Sequence, residues 1–190
     1  FLGVTAAVAG KWTDAILSRS IEVVLSFPSI MLGLITIAAF GSSIPILIVL
    51  SGLIYAASVF RIARALSLDI IVQDFVEVTR ARGEGLWWII TREVLPNIAM
   101  PLATDFGIRL IFIILFISSL SFLGLGVQPP ISDWGSMVRE NLQGLANGFS
   151  GGAIATIAPA LAIASLTIAI NIVIDDISAH DGGSLSGKMI

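Results

Sequence analysis

The sequence contains no cysteine. Disulfides, thiolate metal sites and a cysteine nucleophile are therefore excluded. A single histidine, His180, cannot supply a histidine metal cluster, and neither a metal nor a cofactor is expected. Charge is scarce as well: 12% of the 190 residues, where soluble domains carry about a quarter. A net charge of −3 leaves no basic face to neutralise phosphates, which excludes nucleic acid as a partner. The chain opens on FLGVTAAVAG with no basic segment ahead of it, so the charged start of a signal peptide is lacking. That run is about half of the roughly 20 residues a spanning helix needs. The expectation is the tail of a helix whose beginning lies upstream, in a fragment of a longer chain.

What fills the chain instead is apolar, with 56% hydrophobic residues and a mean hydropathy of +1.01. Four long runs stand out, at residues 23–40, 44–60, 98–125 and 153–174. The first two carry no charge and are parted by the turn GSSIP; the third is broken by Asp105 and Arg109. Each is long enough, or nearly so, to cross the hydrocarbon core as a helix. None shows the polar face of a soluble core helix. The second run is short, with Arg61 just beyond it placed to snorkel to the interface. Pro28, Pro101 and Pro159 fall inside or at the start of runs, where membrane helices tolerate kinks packed against neighbours.

The 23 charged residues are unevenly placed: 10 of them lie between Arg61 and Glu93. Ile70, Ile71, Phe75, Val76 and Val78 form an apolar stripe at helical spacing. Gly83 interrupts it, and LWWIITREVL resumes a helical pattern that Pro96 is expected to stop before the next span. The expectation is two short helices joined by a glycine elbow, with Trp87 and Trp88 at the membrane interface. Lys and Arg set the orientation. With an even number of full spans, Lys11, Arg19 and Lys188 fall on the island's side, which then holds eight of the ten basic residues and faces the cytoplasm. The GSSIP turn and residues 126–151 then face outward. On composition alone, the island is either a docking element or a solvated loop that only sets topology.

The stretch FVEVTRARGEGLWWIITREVLPN resembles the EAA loop of ABC-importer permeases, patterned E-A-A, three residues, G, nine residues, I, any residue, L-P. Glu77 stands at the glutamate, Gly83 at the glycine and Leu95–Pro96 at the closing pair. Val78 and Thr79 replace the two alanines, and Glu93 the isoleucine. Two further stretches are similar to one branch, the dipeptide/oligopeptide/nickel permeases. One is LSFLGLGVQPPISDWGSM, residues 120–137; the other is GKWTDAILSRSIEVVLSFPSI, residues 10–30, which resembles GGWxDxxLMRxxDxxLAFPxx.

The resemblance implies an all-α, polytopic helical membrane protein: a type I ABC importer transmembrane domain with four full spans plus the end of a fifth. Residues 1–175 would be the permease domain, its start missing, and 176–190 a cytoplasmic tail. The expected place is the bacterial inner (plasma) membrane. The implied partners are cytoplasmic ATPase subunits, a homologous second permease subunit, a periplasmic or extracellular substrate-binding protein and the lipid bilayer. Closure of the ATPase dimer on ATP would drag the loop and rock the spans. The coupling positions would be Glu77, Arg80, Ala81, Arg82, Gly83, Leu95 and Pro96, with the glycine allowing close approach. The permease would be no enzyme itself, and its cargo a peptide, a related small solute or a nickel complex.

Three other features bear on chemistry. GGSLSGKM, residues 182–189, nearly spells a phosphate-binding loop, but Met189 stands where magnesium needs a hydroxyl, so no nucleotide site is expected. Asp105 and Arg109 are four apart and share a helix face inside a span. A charge at mid-membrane costs roughly 2.5–3.5 kcal/mol, so the pair faces protein or water. They either line the substrate path or lock the bundle. In residues 132–141, SDWGSMVREN starts a short helix capped by Ser132 or Asp133. Two rival functions remain at this point: an ion-gradient transporter using Asp105 and Arg109 as its relay, and a membrane scaffold for which the island is only a docking platform.

Overall fold

A computed structural model describes residues 1–146 and 152–186, with side chains through 142 and from 153 to 178. The described residues form helices and connecting turns, without strands. In chain order the helices are α1 (Leu2–Val8), α2 (Lys11–Leu25), α3 (Ser29–Phe40), α4 (Ile44–Ile70), α5 (Asp74–Ala81), α6 (Leu86–Phe122), α7 (Trp134–Ala146) and α8 (Gly152–Ser186). Three stretches are continuous, long and apolar enough to cross a membrane: Ile44–Ile70, Leu86–Phe122 and Ala153–Ser178. The pair α2 and α3 is a fourth if taken together as one broken span.

The run 23–40 is not the single helix that its composition suggests. Pro28 lacks an amide hydrogen and pushes the residue before it out of helical geometry. The chain therefore leaves α2 at Leu25 and starts α3 at Ser29. The run 44–60 is, by contrast, longer than it looked. α4 has 27 residues. At about 1.5 Å per residue it rises some 40 Å, beyond the roughly 30 Å of hydrocarbon, so its charged end need not lie in lipid. One face of α4 is buried throughout, at Leu47, Leu50, Ser51, Ile54, Ala57, Phe60, Ala63 and Ser67.

Pro96 does not stop the helix that precedes it. Leu86–Trp88 is α-helical, Ile89–Val94 widens to a π-helix, and Leu95–Phe122 is α-helical again. A proline ring clashes with the carbonyl four residues back, here Arg92. The π-helical widening falls on that carbonyl and accommodates the ring without ending the helix. The Asn97 side chain donates to the Glu93 carbonyl at 2.6 Å, supplying a partner in the same turn. α8 likewise continues through Asp175 and Asp176. The side chain of His180 and the end of GGSLSGKM lie outside the described residues.

The chain folds as two compact units. One comprises Phe1–Phe27 and Ile54–Phe106. Its core gathers Val4, Val8, Ala63, Val76, Ile89, Ile90, Val94 and Ile98. At its edge Arg64 donates through Nε and Nη2 to both carboxylate oxygens of Asp14, joining α2 to α4. The other unit comprises Pro28–Leu53 and the residues from Gly107 on. Small residues let its helices approach closely. Gly33 lies against Phe116 and Leu120, Gly107 against Ile174, and Gly135 against the Ser118 carbonyl.

Gly3 yields a direct test of the first core. A methyl group there would run into the Phe60 carbonyl, which is backbone and cannot rotate away. Gly52 faces open space on α4. In the full-length protein in detergent, Gly3→Ala should lower thermal stability by about 1–3 kcal/mol. Gly52→Ala should leave it unchanged or raise it by up to about 1 kcal/mol. Equal melting temperatures for the two variants would contradict this packing.

Candidate functional site

The charged island is built on the first unit's apolar core. α5 has only eight residues and would not hold as an isolated helix. Its seat supplies what length does not. Val76 is 0% exposed and Thr79 only 2%, one turn apart on the inner face. Val76 joins the cluster formed with Val4, Ala63, Ile89 and Val94, so α5 rests on residues of α1, α4 and α6. Asp74 and Glu77 sit in its first turn and Arg80 in its last, the arrangement that suits the helix dipole.

The outer face carries the charge. Glu77, Arg80, Ala81 and Arg82 are all exposed, and Val78 beside them is 57% exposed. Glu77, Arg80 and Glu84 make no side-chain hydrogen bond or ion pair among the described residues. Trp88 lies beneath the Arg92 guanidinium, 5.6 Å from ring centroid to Cζ, and Trp87 stacks on Phe1 at 6.3 Å. Leu95 is half-buried and Pro96 exposed where the π-helical stretch returns to α-helix.

Gly83 ends α5. Its amide donates to the Arg80 carbonyl at 2.9 Å, and the Glu84 amide reaches the Thr79 carbonyl at 3.4 Å. This paired closure requires a left-handed residue, and Gly83 has φ +83°. A Cβ there would meet nothing within 4 Å. Within this chain its requirement is thus conformational, not steric. The same closure ends α6 at Gly124, where the Gly124 and Leu125 amides bond the Ser121 and Leu120 carbonyls. Beyond it, Asp133 caps α7, accepting from the Gly135 and Ser136 amides at 2.8 and 3.2 Å. Of the two capping candidates, Asp133 takes the role.

Asp105 and Arg109 lie one turn apart along α6. Asp105, in the first unit, is buried. Arg109, in the second, is half-buried, with its Cζ 5.9 Å from the centre of the Phe112 ring. One contact escaped the sequence reading. Thr79 Oγ1 lies 3.2 Å from Glu93 Oε1. Both residues depart from the EAA pattern, as does Val78, and the two polar departures at 79 and 93 were the available signal.

Comparison with known proteins agrees in scope. The family described as "binding-protein-dependent transport system inner membrane component" matches residues 1–180. The glutathione transport system permease protein GsiD of Pectobacterium atrosepticum is 32% identical over 139 residues, covering 73% of this chain and 46% of that protein. A putative peptide permease protein of Brucella ovis is 34% identical over 138 residues, with the same coverage. GsiD of Shigella flexneri is 33% identical over 129 residues, 68% of this chain and 43% of that one. The chain thus spans a little under half the length of these relatives.

The elbow after α5 can be tested without knowing any partner. Gly83→Ala forces a Cβ into left-handed geometry at a cost of about 1 kcal/mol. Gly85 has φ −74° and accepts a side chain freely. Where cleavage follows local opening, tryptic cutting after Arg82 should rise about fivefold in Gly83→Ala and not in Gly85→Ala. Equal rates in the two variants would remove the conformational account of Gly83.

Proposed function

We propose a transport function on one premise: the chain belongs to the binding-protein-dependent transport system inner membrane component family. On this reading it is the membrane-spanning permease of an ATP-driven importer and forms half of a translocation path. Its partners are cytoplasmic ATPase subunits, a second homologous permease and a substrate-binding protein outside the membrane. The island at 61–96 faces the cytoplasm of a bacterium, and the protein sits in its inner membrane. The chain carries no nucleotide site of its own; separate ATPase subunits supply the energy.

The observation that carries the reading is α5. An apolar inner face fixes it to the core, while Glu77, Arg80, Ala81, Arg82 and Gly83 are presented outward. Exposed charges such as Glu77 and Arg80, without internal partners among the described residues, are what a docked ATPase surface would meet, since complementary charge sets orientation and register. Leu95 and Pro96 join this surface to the span. Asp105 and Arg109 are the candidate polar residues of the path, inside a helix where charge is otherwise costly. The relatives give no support to the ion-gradient alternative built on them. For cargo we propose a short peptide or peptide-like solute, the class named for the glutathione and peptide permeases. A nickel complex is the other cargo this branch suggests.

Affinity purification of the full-length protein should bring down an ATPase pair and a second permease. Arg80→Glu, on the exposed face, should leave membrane levels unchanged and cut ATPase recovery and ATP-driven uptake by about tenfold or more. Uptake into proteoliposomes that persists without any ATPase would sink the reading.

A further inference from the structure

Thr79 and Glu93 occupy one contact between α5 and the π-helical stretch of α6. Thr79 is nearly fully buried and Glu93 half-buried. Thr79 Oγ1 lies 3.2 Å from Glu93 Oε1 and 2.9 Å from the Phe75 carbonyl of its own helix. A hydroxyl has one proton, so it serves one of these acceptors at a time. An ionised carboxylate is the stronger acceptor. Arg82 Nη2 approaches the same Oγ1 at 3.5 Å, yet Arg82 and Glu93 form no ion pair among the described residues. The carboxylate's direct partner is therefore the threonine.

We infer that Thr79 and Glu93 form a polar latch that fixes the register of α5 on α6, with Glu93 as a positioning residue for coupling. The coupling part of this inference rests on the transport reading above; the latch itself does not. The other buried anchor of α5, Val76, makes apolar contacts, which resist separation but give little direction. A hydrogen bond is directional and selects one register. Glu93 is itself steadied, because its carbonyl accepts from Asn97 Nδ2 at 2.6 Å. Without Thr79 the half-buried carboxylate loses this donor, and without Glu93 the hydroxyl falls back on the Phe75 carbonyl of its own helix, so either change removes the link between α5 and α6. The alanine and isoleucine of the EAA pattern would make the same contact apolar on both sides. The departures at Thr79 and Glu93 thus act as one coupled change.

The test is a double-mutant cycle in the full-length protein in nanodiscs, read by amide hydrogen exchange across residues 76–84. Thr79→Ala and Glu93→Ile should each speed exchange there by at least about threefold. The double variant Thr79→Ala/Glu93→Ile should return it to the wild-type rate. Thr79→Ser, which keeps the hydroxyl, should match wild type. Single variants at the wild-type rate, or a double variant equal to the sum of the singles, would overturn the latch. In the assembled transporter the two single variants should lower solute moved per ATP hydrolysed while assembly is unchanged, and the double variant should restore it. An unchanged ratio in the singles would overturn the positioning role. The exchange readout requires no ATPase, so failure of the transport reading would appear separately, as an ATPase that does not co-purify.

Discussion

Lipid offers no hydrogen-bonding partner, so every backbone amide and carbonyl within the hydrocarbon must be satisfied by its own helix. Most of this chain's organisation follows from that constraint. It favours continuous helix along the apolar runs, and it makes charge within a span costly. α4 meets it by running 27 residues, long enough to carry Arg61, Arg64 and Asp69 past the hydrocarbon. The same constraint explains why the chain tolerates Pro96 and Pro101 inside α6. At Pro96 the helix widens over Ile89–Val94, and it continues as α-helix through Pro101.

Outside the lipid the problem reverses. α5 is short, rich in charge and unable to hold itself together. The core beneath it provides burial through Val76, and the helix dipole is met by acidic residues at its start and Arg80 at its end. Its closure at Gly83 costs little because glycine alone takes a positive φ freely. The product is a helix with a fixed underside and a charged outer face. The clasp between Asp14 and Arg64 serves the neighbouring α2 in the same way, with charge holding together elements that apolar contact would leave free to slide.

Much of this was legible in the residues. Apolar runs announced the spans, and glycine at 83 announced an elbow. Two expectations about proline change: a kink tolerated at Pro28 within one run, and a stop at Pro96. Pro28 follows Phe27 at the end of a helix and breaks the run 23–40, while Pro96 lies inside a helix that bends its hydrogen-bond pattern around it. The Thr79–Glu93 contact was hidden for another reason. It joins residues fourteen apart across an elbow, and neither helical periodicity nor composition reports on such a pair.

Continuity of α6 bears on how a permease of this kind would work. Had Pro96 ended the helix, the charged island and the span would meet at a hinge, and motion of one would be partly absorbed before reaching the other. Instead one helix runs from Leu86 to Phe122. The π-helical stretch at its foot is where α5 is joined, through Val76 on the apolar side and Thr79 on the polar side. A pull on the outer face of α5 therefore has a short route into the span: through two buried residues and into a hydrogen-bonded rod. Interfaces of this sort switch between packed arrangements more readily than they deform. The relevant stiffness in the proposed coupling then lies in the α5–α6 contact, not in the exposed charges that a partner would touch first.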